Sequence, residues 1–171
     1  MLQFSKKVCL LGDFAVGKTS LVRRYVEGAF EDKYLSTIGV KIDRKTMVMP
    51  AYEQGLQLTL ILWDLAGSEK FSQARANYLR GSSGAILVCD FTRPVTLANL
   101  HGYASDLQKL SPGAKLVIVA NKYDLINEQR LTLPQLEATA SSLGAPLYLT
   151  SAKTGDAVEA AFQSLARLLI S

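Results

Sequence analysis

The stretch "LLGDFAVGKTS", residues 10–20, decides how this chain is read. It holds Gly12 and, five residues on, Gly17-Lys18-Thr19, the spacing G-x-x-x-x-G-K-[ST]. An apolar run precedes it and a helical pattern over 17–27 follows. In that setting the backbone N–H groups of residues 13–19 converge on one concavity. The dipole at the helix start adds positive potential there. Asp13, Phe14, Ala15, Val16, Gly17 and Ser20 line the turn. Lys18 supplies a full charge for the β- and γ-phosphates of a nucleotide. The Thr19 hydroxyl suits Mg²⁺, a hard cation that takes oxygen ligands.

Outward from this loop, apolar runs alternate with helical periods. Strands are expected at 6–12, 38–49, 56–64, 84–91, 114–122 and 145–152. Helices are expected at 17–27, 69–80, 96–110, 132–143 and 155–170. Val158, Phe162, Leu165, Leu168 and Leu169 mark one face of the last. Alternating strands and helices imply parallel pairing with helices on both faces. Residues 38–64 break the pattern, because two strand runs meet there with no helix between them. The expectation is an α/β fold of three layers. Its six-stranded, mostly parallel sheet carries one antiparallel edge strand and about five helices. One domain over 1–171 suits the length.

Composition narrows the function. Hydrophobic residues make up 49% and charged residues 20%, as in ordinary globular chains. The net charge is +4, but the longest cationic runs are the pairs Lys6-Lys7 and Arg23-Arg24, so no nucleic-acid surface is expected. No apolar run is long enough to span a bilayer. Cys9 and Cys89 sit inside apolar runs and read as buried core thiols of neighbouring strands. His101, the one histidine, reads as a helix-surface residue.

A second motif selects the base. "VIVANKYD" ends a strand and gives Asn121-Lys122-x-Asp124. A strand-end carboxylate accepts the N1 and N2 hydrogens of guanine, a donor pair that adenine lacks. The Lys122 stem can lie along the ring. Ser151-Ala152-Lys153 follows 27 residues after Asp124, and the Ala152 N–H can reach the guanine carbonyl. The two motifs together, both after strands and both downstream of a phosphate loop, are highly specific.

With these residues in hand, the chain resembles the small Ras-like GTPases, and within them the Rab branch. "YLSTIGV" (34–40) is similar to the first switch and "WDLAGSEKF" (63–71) to the second. "YLRGSSGAILVCDFT" (78–92) and "NKYDL" (121–125) also read like that branch. The resemblance implies that GTP or GDP binds with Mg²⁺ and that loops near 31–41 and 64–79 switch with the γ-phosphate. It implies Thr37 and, through water, Asp64 at the metal beside Thr19. Gly67 would sense the γ-phosphate, Phe30 would cover the guanine edge and Tyr34 would close over the phosphates. Lys18 and Gly67 would stabilise phosphate charge during hydrolysis. Trp63 would sit near a partner-binding patch.

The resemblance further implies a cytoplasmic monomer, peripheral to membranes through partners. Those partners would be effectors, an exchange factor and an activating protein at the switches. No lipid anchor is expected at the cysteine-free end "LARLLIS".

The chain departs from the family at the chemistry. Ser68 stands where the family carries the glutamine that orients the attacking water. Serine is shorter by two heavy-atom bonds. Phe14 and Ala15 replace small residues, commonly glycine or serine, and Phe14 is placed to obstruct a partner's arginine. Slow intrinsic hydrolysis is the expectation. The competing reading is a nucleotide-bound, non-catalytic scaffold that presents an interaction surface.

Overall fold

The computed structural model describes residues 1–30, 39–50, 53–65 and 72–171. Its strands are β1 (Leu2–Leu11), β2 (Val40–Met49), β3 (Leu56–Leu65), β4 (Gly84–Asp90), β5 (Lys115–Asn121) and β6 (Leu147–Leu149). The helices are α1 (Lys18–Glu27), α2 (Ser72–Leu79), α3 (Pro94–Ala98), α4 (Leu100–Leu110), α5 (Leu133–Leu143) and α6 (Val158–Ile170). The sheet order is β2-β3-β1-β4-β5-β6. Among the strand pairs of the described residues, β2–β3 alone is antiparallel, as the helix-free stretch 38–64 implied.

Alternation along each strand divides the core in two. Val8, Leu10, Leu58, Leu60, Ile86 and Val117 pack under α1 and α6. Cys9, Leu11, Leu87, Cys89 and Ile118 pack under α4 and α5. This is why the central strands read as unbroken apolar runs. Tyr25 of α1 stacks on Phe162 of α6, with centroids 4.0 Å apart and planes 4° from parallel. Full burial of a side chain like Phe162 contributes roughly 1.5–3 kcal/mol.

Several boundaries differ from the sequence expectation. The helix expected at 96–110 begins at Pro94 and breaks at Asn99, whose side-chain amide bonds outside its own helix. Residues Gly155 (φ 90) and Ala157 (φ 58) are left-handed, so the last helix starts at Val158 rather than 155. Gly17 (φ 103) caps α1, which therefore begins at Lys18. β1 extends back to Leu2 because its start pairs with β3 from Leu56 onward.

After β1 the chain builds β2 and β3 on one side of it, then crosses to β4 on the other. That opens a crevice at the carboxyl ends of the central strands, where α/β sheets place ligands. Gly12, Asp64, Asp90, Asn121 and Thr150 all follow or end a strand there.

Candidate functional site

The phosphate loop is fixed by close backbone approach. A Cβ on Gly12 would lie 2.3 Å from the Val88 carbonyl oxygen of β4, and one on Gly17 would lie 2.3 Å from Asn121 Nδ2. Only glycine fits at either place. Ala15 is left-handed (φ 64), at a cost of about 1–2 kcal/mol. Lys18 is 6% exposed, and its Nζ donates to the carbonyls of Gly12 (2.9 Å) and Asp13 (3.1 Å). Burial pulls its pKa down to about 8, against the attraction of Asp64 and Asp13. An incoming phosphate would offset that burial. Ser20 lies in the first turn of α1.

The Asp13 carboxylate turns away from the cradle. It accepts from Asn99 Nδ2 (2.7 Å) and from the Tyr103 hydroxyl (2.8 Å). Phe14 is 49% exposed, and its carbonyl accepts from Arg93 Nη2 at 2.6 Å. Residues 13 and 14 are thus both tethered to the segment 93–103.

At the metal position, the Thr19 hydroxyl donates to Asp64 Oδ2. Asp64 Oδ1 is buried with no hydrogen-bond partner among the described residues. Burial raises the Asp64 pKa, partly opposed by Thr19 and Lys18. A half-buried hydroxyl beside a buried carboxylate with one unpaired oxygen fits Mg²⁺. No group of three or more His, Cys, Asp or Glu exists among the described residues, so phosphate and water oxygens would complete the shell.

At the base side, Asn121 is 2% exposed. Its amide nitrogen donates to the Val16 carbonyl (3.0 Å). Its oxygen accepts from Thr150 Oγ1 (3.1 Å) and from the Ala152 N–H (3.2 Å). This one side chain joins the phosphate loop to the loop after β6. The Ser151 hydroxyl donates to Asp124 Oδ1 at 2.8 Å. Lys122 is left-handed (φ 69), with its ammonium 2.8 Å from Asp90 Oδ2. Phe30 packs against the α1–α6 side of the core, and Lys153 is exposed.

Tyr34, Thr37, Gly67 and Ser68 lie outside the described residues. Trp63 is half-buried, with the Lys7 ammonium 3.9 Å from its ring centroid and Tyr78 at 5.9 Å. His101 is exposed, and both cysteines are free and buried in neighbouring strands.

Asp90 had no role in the sequence reading, although a carboxylate ending the apolar run "AILVCD" was the available signal. It is fully buried. It pairs with Lys122 and with Arg93 Nε (3.1 Å), and accepts from the Thr92 N–H (2.8 Å) and hydroxyl (2.7 Å). Burial alone raises its pKa; the bonds from Lys122 and Thr92 outweigh this and hold it below the usual carboxylate range. Asp90→Ala is expected to cost about 2 kcal/mol. That is less than for a fully buried pair, because Lys122 and Arg93 remain 32% and 38% exposed. The urea midpoint falls while the slope holds. A carboxyl with a depressed native pKa stabilises the fold above about pH 4, and the benefit disappears as pH falls through its native value. Wild type therefore loses more stability than the variant on acidification below pH 4.

Comparison with known proteins agrees with this geometry. The Ras family model matches residues 7–171. The chain belongs to the Ras family. It is 38% identical to Ras-related protein Rab-21 of Homo sapiens over 168 residues, covering 98% of this chain and 73% of that one. Rab-1D of Dictyostelium discoideum is 35% identical over 165 residues (96% and 79%). Rab-13 of Mesocricetus auratus is 34% identical over 162 residues (94% and 78%). The chain is thus a Ras-like small GTPase of the Rab branch, and its sheet and helices are those of that fold. Members of this family bind GTP and GDP with Mg²⁺ and act through effectors, exchange factors and activating proteins. Among the described residues, no helix is long and apolar enough to cross a membrane.

Proposed function

We propose that this Ras-family chain, as one domain over 1–171, is a Mg²⁺-dependent guanine-nucleotide switch that hydrolyses GTP slowly. The observation that carries it is the Asn121 side chain. It ties the lysine-bearing phosphate loop to the loop that holds Asp124, which suits one ligand with phosphate at one end and guanine at the other.

Lys18, the N–H groups of 13–19 and Gly67 stabilise phosphate charge. Thr19 and Thr37 ligate Mg²⁺, and Asp64 holds it through water. Asp124, with Ser151, Ala152 and Lys153, reads guanine. Asn121 and Lys122 hold that loop in place, Lys122 through Asp90. Phe30 and Tyr34 close the pocket. Effectors, an exchange factor and an activating protein would dock at 31–41 and 64–79. The protein acts as a cytoplasmic monomer that reaches membranes through partners and does not bind nucleic acid.

Ser68 sets the rate, because its short side chain cannot orient water as the family's glutamine does. Phe14, half-exposed above a tethered loop, would hinder a partner's arginine. Single-turnover hydrolysis of bound GTP is expected below ~10⁻⁴ s⁻¹, the unassisted Ras-type scale. Ser68→Gln should raise it by about tenfold or more, the size of one positioning hydrogen bond. An ordinary wild-type rate with no change in the variant would mean that another group positions the water. No turnover in either protein, with GTP retained, would favour the non-catalytic scaffold.

A further inference from the structure

Arg24 lies in the last turn of α1, away from the phosphate and base motifs, yet its guanidinium reaches three backbone carbonyls. Nε donates to Ala152 O at 2.8 Å and Nη2 to Lys153 O. Nη1 donates to Gly28 O at 3.3 Å, at the carboxyl end of α1. Gly155 packs over the arginine stem, where an added Cβ would meet Arg24 Cδ at 3.6 Å.

The loop after β6 is therefore held from two sides. Its Ala152 N–H faces Asn121, and its Ser151 hydroxyl faces Asp124. Its carbonyls at 152 and 153 face the arginine. A planar fork bonded to consecutive carbonyls fixes the peptide planes between them, and with them the directions of the loop N–H groups. The third bond falls two residues before Phe30, so the same side chain also sets where the chain leaves α1.

We propose that Arg24 is a positioning residue for the guanine pocket. It holds the 151–155 loop and the turn at Gly28 as one unit, and so sets how tightly the base is read and how slowly nucleotide leaves. This rests on the guanine reading above. Among the described residues, the bonds of the Arg24 guanidinium go to the carbonyls of Gly28, Ala152 and Lys153, so its influence belongs to the base and not to the phosphates.

The test uses the whole chain loaded with fluorescent GDP. Release rates and competition by GDP, inosine diphosphate and GMP are measured for wild type, Arg24→Ala and Arg24→Lys, beside thermal unfolding. Arg24→Ala should speed GDP release by about tenfold or more, the loss expected for one or two charge-assisted bonds. It should narrow the preference for GDP over inosine diphosphate, which lacks the 2-amino group facing Asp124. The GDP-to-GMP ratio should not move. Arg24→Lys, which keeps the charge but not the fork, should fall between and carries the test if the alanine variant does not fold. A lowered melting temperature with unchanged release and unchanged base preference would make Arg24 a strut only and overturn the proposal. A wild type that binds ADP as well as GDP would overturn the guanine reading itself, a result distinct from either.

Discussion

Asp124→Asn is expected to weaken GDP by ~10³–10⁴-fold and to make xanthosine diphosphate the preferred ligand. The reason is donor matching. A carboxylate accepts two N–H groups from guanine, whereas an amide presents its own N–H to one of them. A buried donor left facing a donor costs far more than one hydrogen bond is worth, which is how polar sites reach such discrimination. Xanthine offers a carbonyl where guanine has its amine, and the amide N–H satisfies it. The Ser151 hydroxyl, 2.8 Å from Oδ1, can serve the amide oxygen equally well, so the exchange is confined to the ligand side. Competition against fluorescent GDP at fixed Mg²⁺ measures both effects. Unchanged GDP affinity would place the base elsewhere.

Gly12→Ala should be nearly as severe at the other end of the site. Its Cβ would stand 2.3 Å from the Val88 carbonyl and 3.1 Å from Val16 Cγ2. Val88 is fully buried in a central strand and cannot retreat, so the phosphate loop has to move instead. Displacing the cradle by about an ångström costs on the order of 10²-fold in ligand positioning, and overpacking costs about 1–3 kcal/mol of stability. Gly102→Ala is the control. Nothing lies within 4 Å of its added Cβ, and it sits inside α4, where alanine is the better helix former. It should be neutral or stabilising by up to about 1 kcal/mol, with GDP binding unchanged. Equal losses in the two variants would remove the steric account.

The mostly parallel sheet and its antiparallel edge strand were legible in sequence because strand patterning and the absence of a helix over 38–64 are local signals, whereas the strand order came from the structure. The phosphate loop was legible for the same reason. Its glycines answer to close contacts with Val88 and Asn121, and such contacts leave a spacing that can be read. Helix ends were less legible. Asn99 interrupts α3–α4 with its side chain on distant Asp13, and Gly155 and Ala157 are left-handed; periodicity carries no trace of either. The support beneath the site was invisible. Asp90, Arg93, Tyr103 and Arg24 act through side-chain bonds that reach residues up to 129 positions away, which no motif encodes. Asn121 was read as part of the guanine motif; that its amide also joins two loops within the protein was not readable from the motif.

The most direct measurement is equilibrium binding of GDP, GTP, xanthosine diphosphate and ADP to nucleotide-stripped protein, with Mg²⁺ and with a chelator. The account predicts that guanine nucleotides outcompete ADP by at least ~10⁴-fold. It also predicts that removing Mg²⁺ accelerates release, since Thr19 and Asp64 then hold no cation against the phosphates. ADP binding as tightly as GDP, or release indifferent to Mg²⁺, would contradict it.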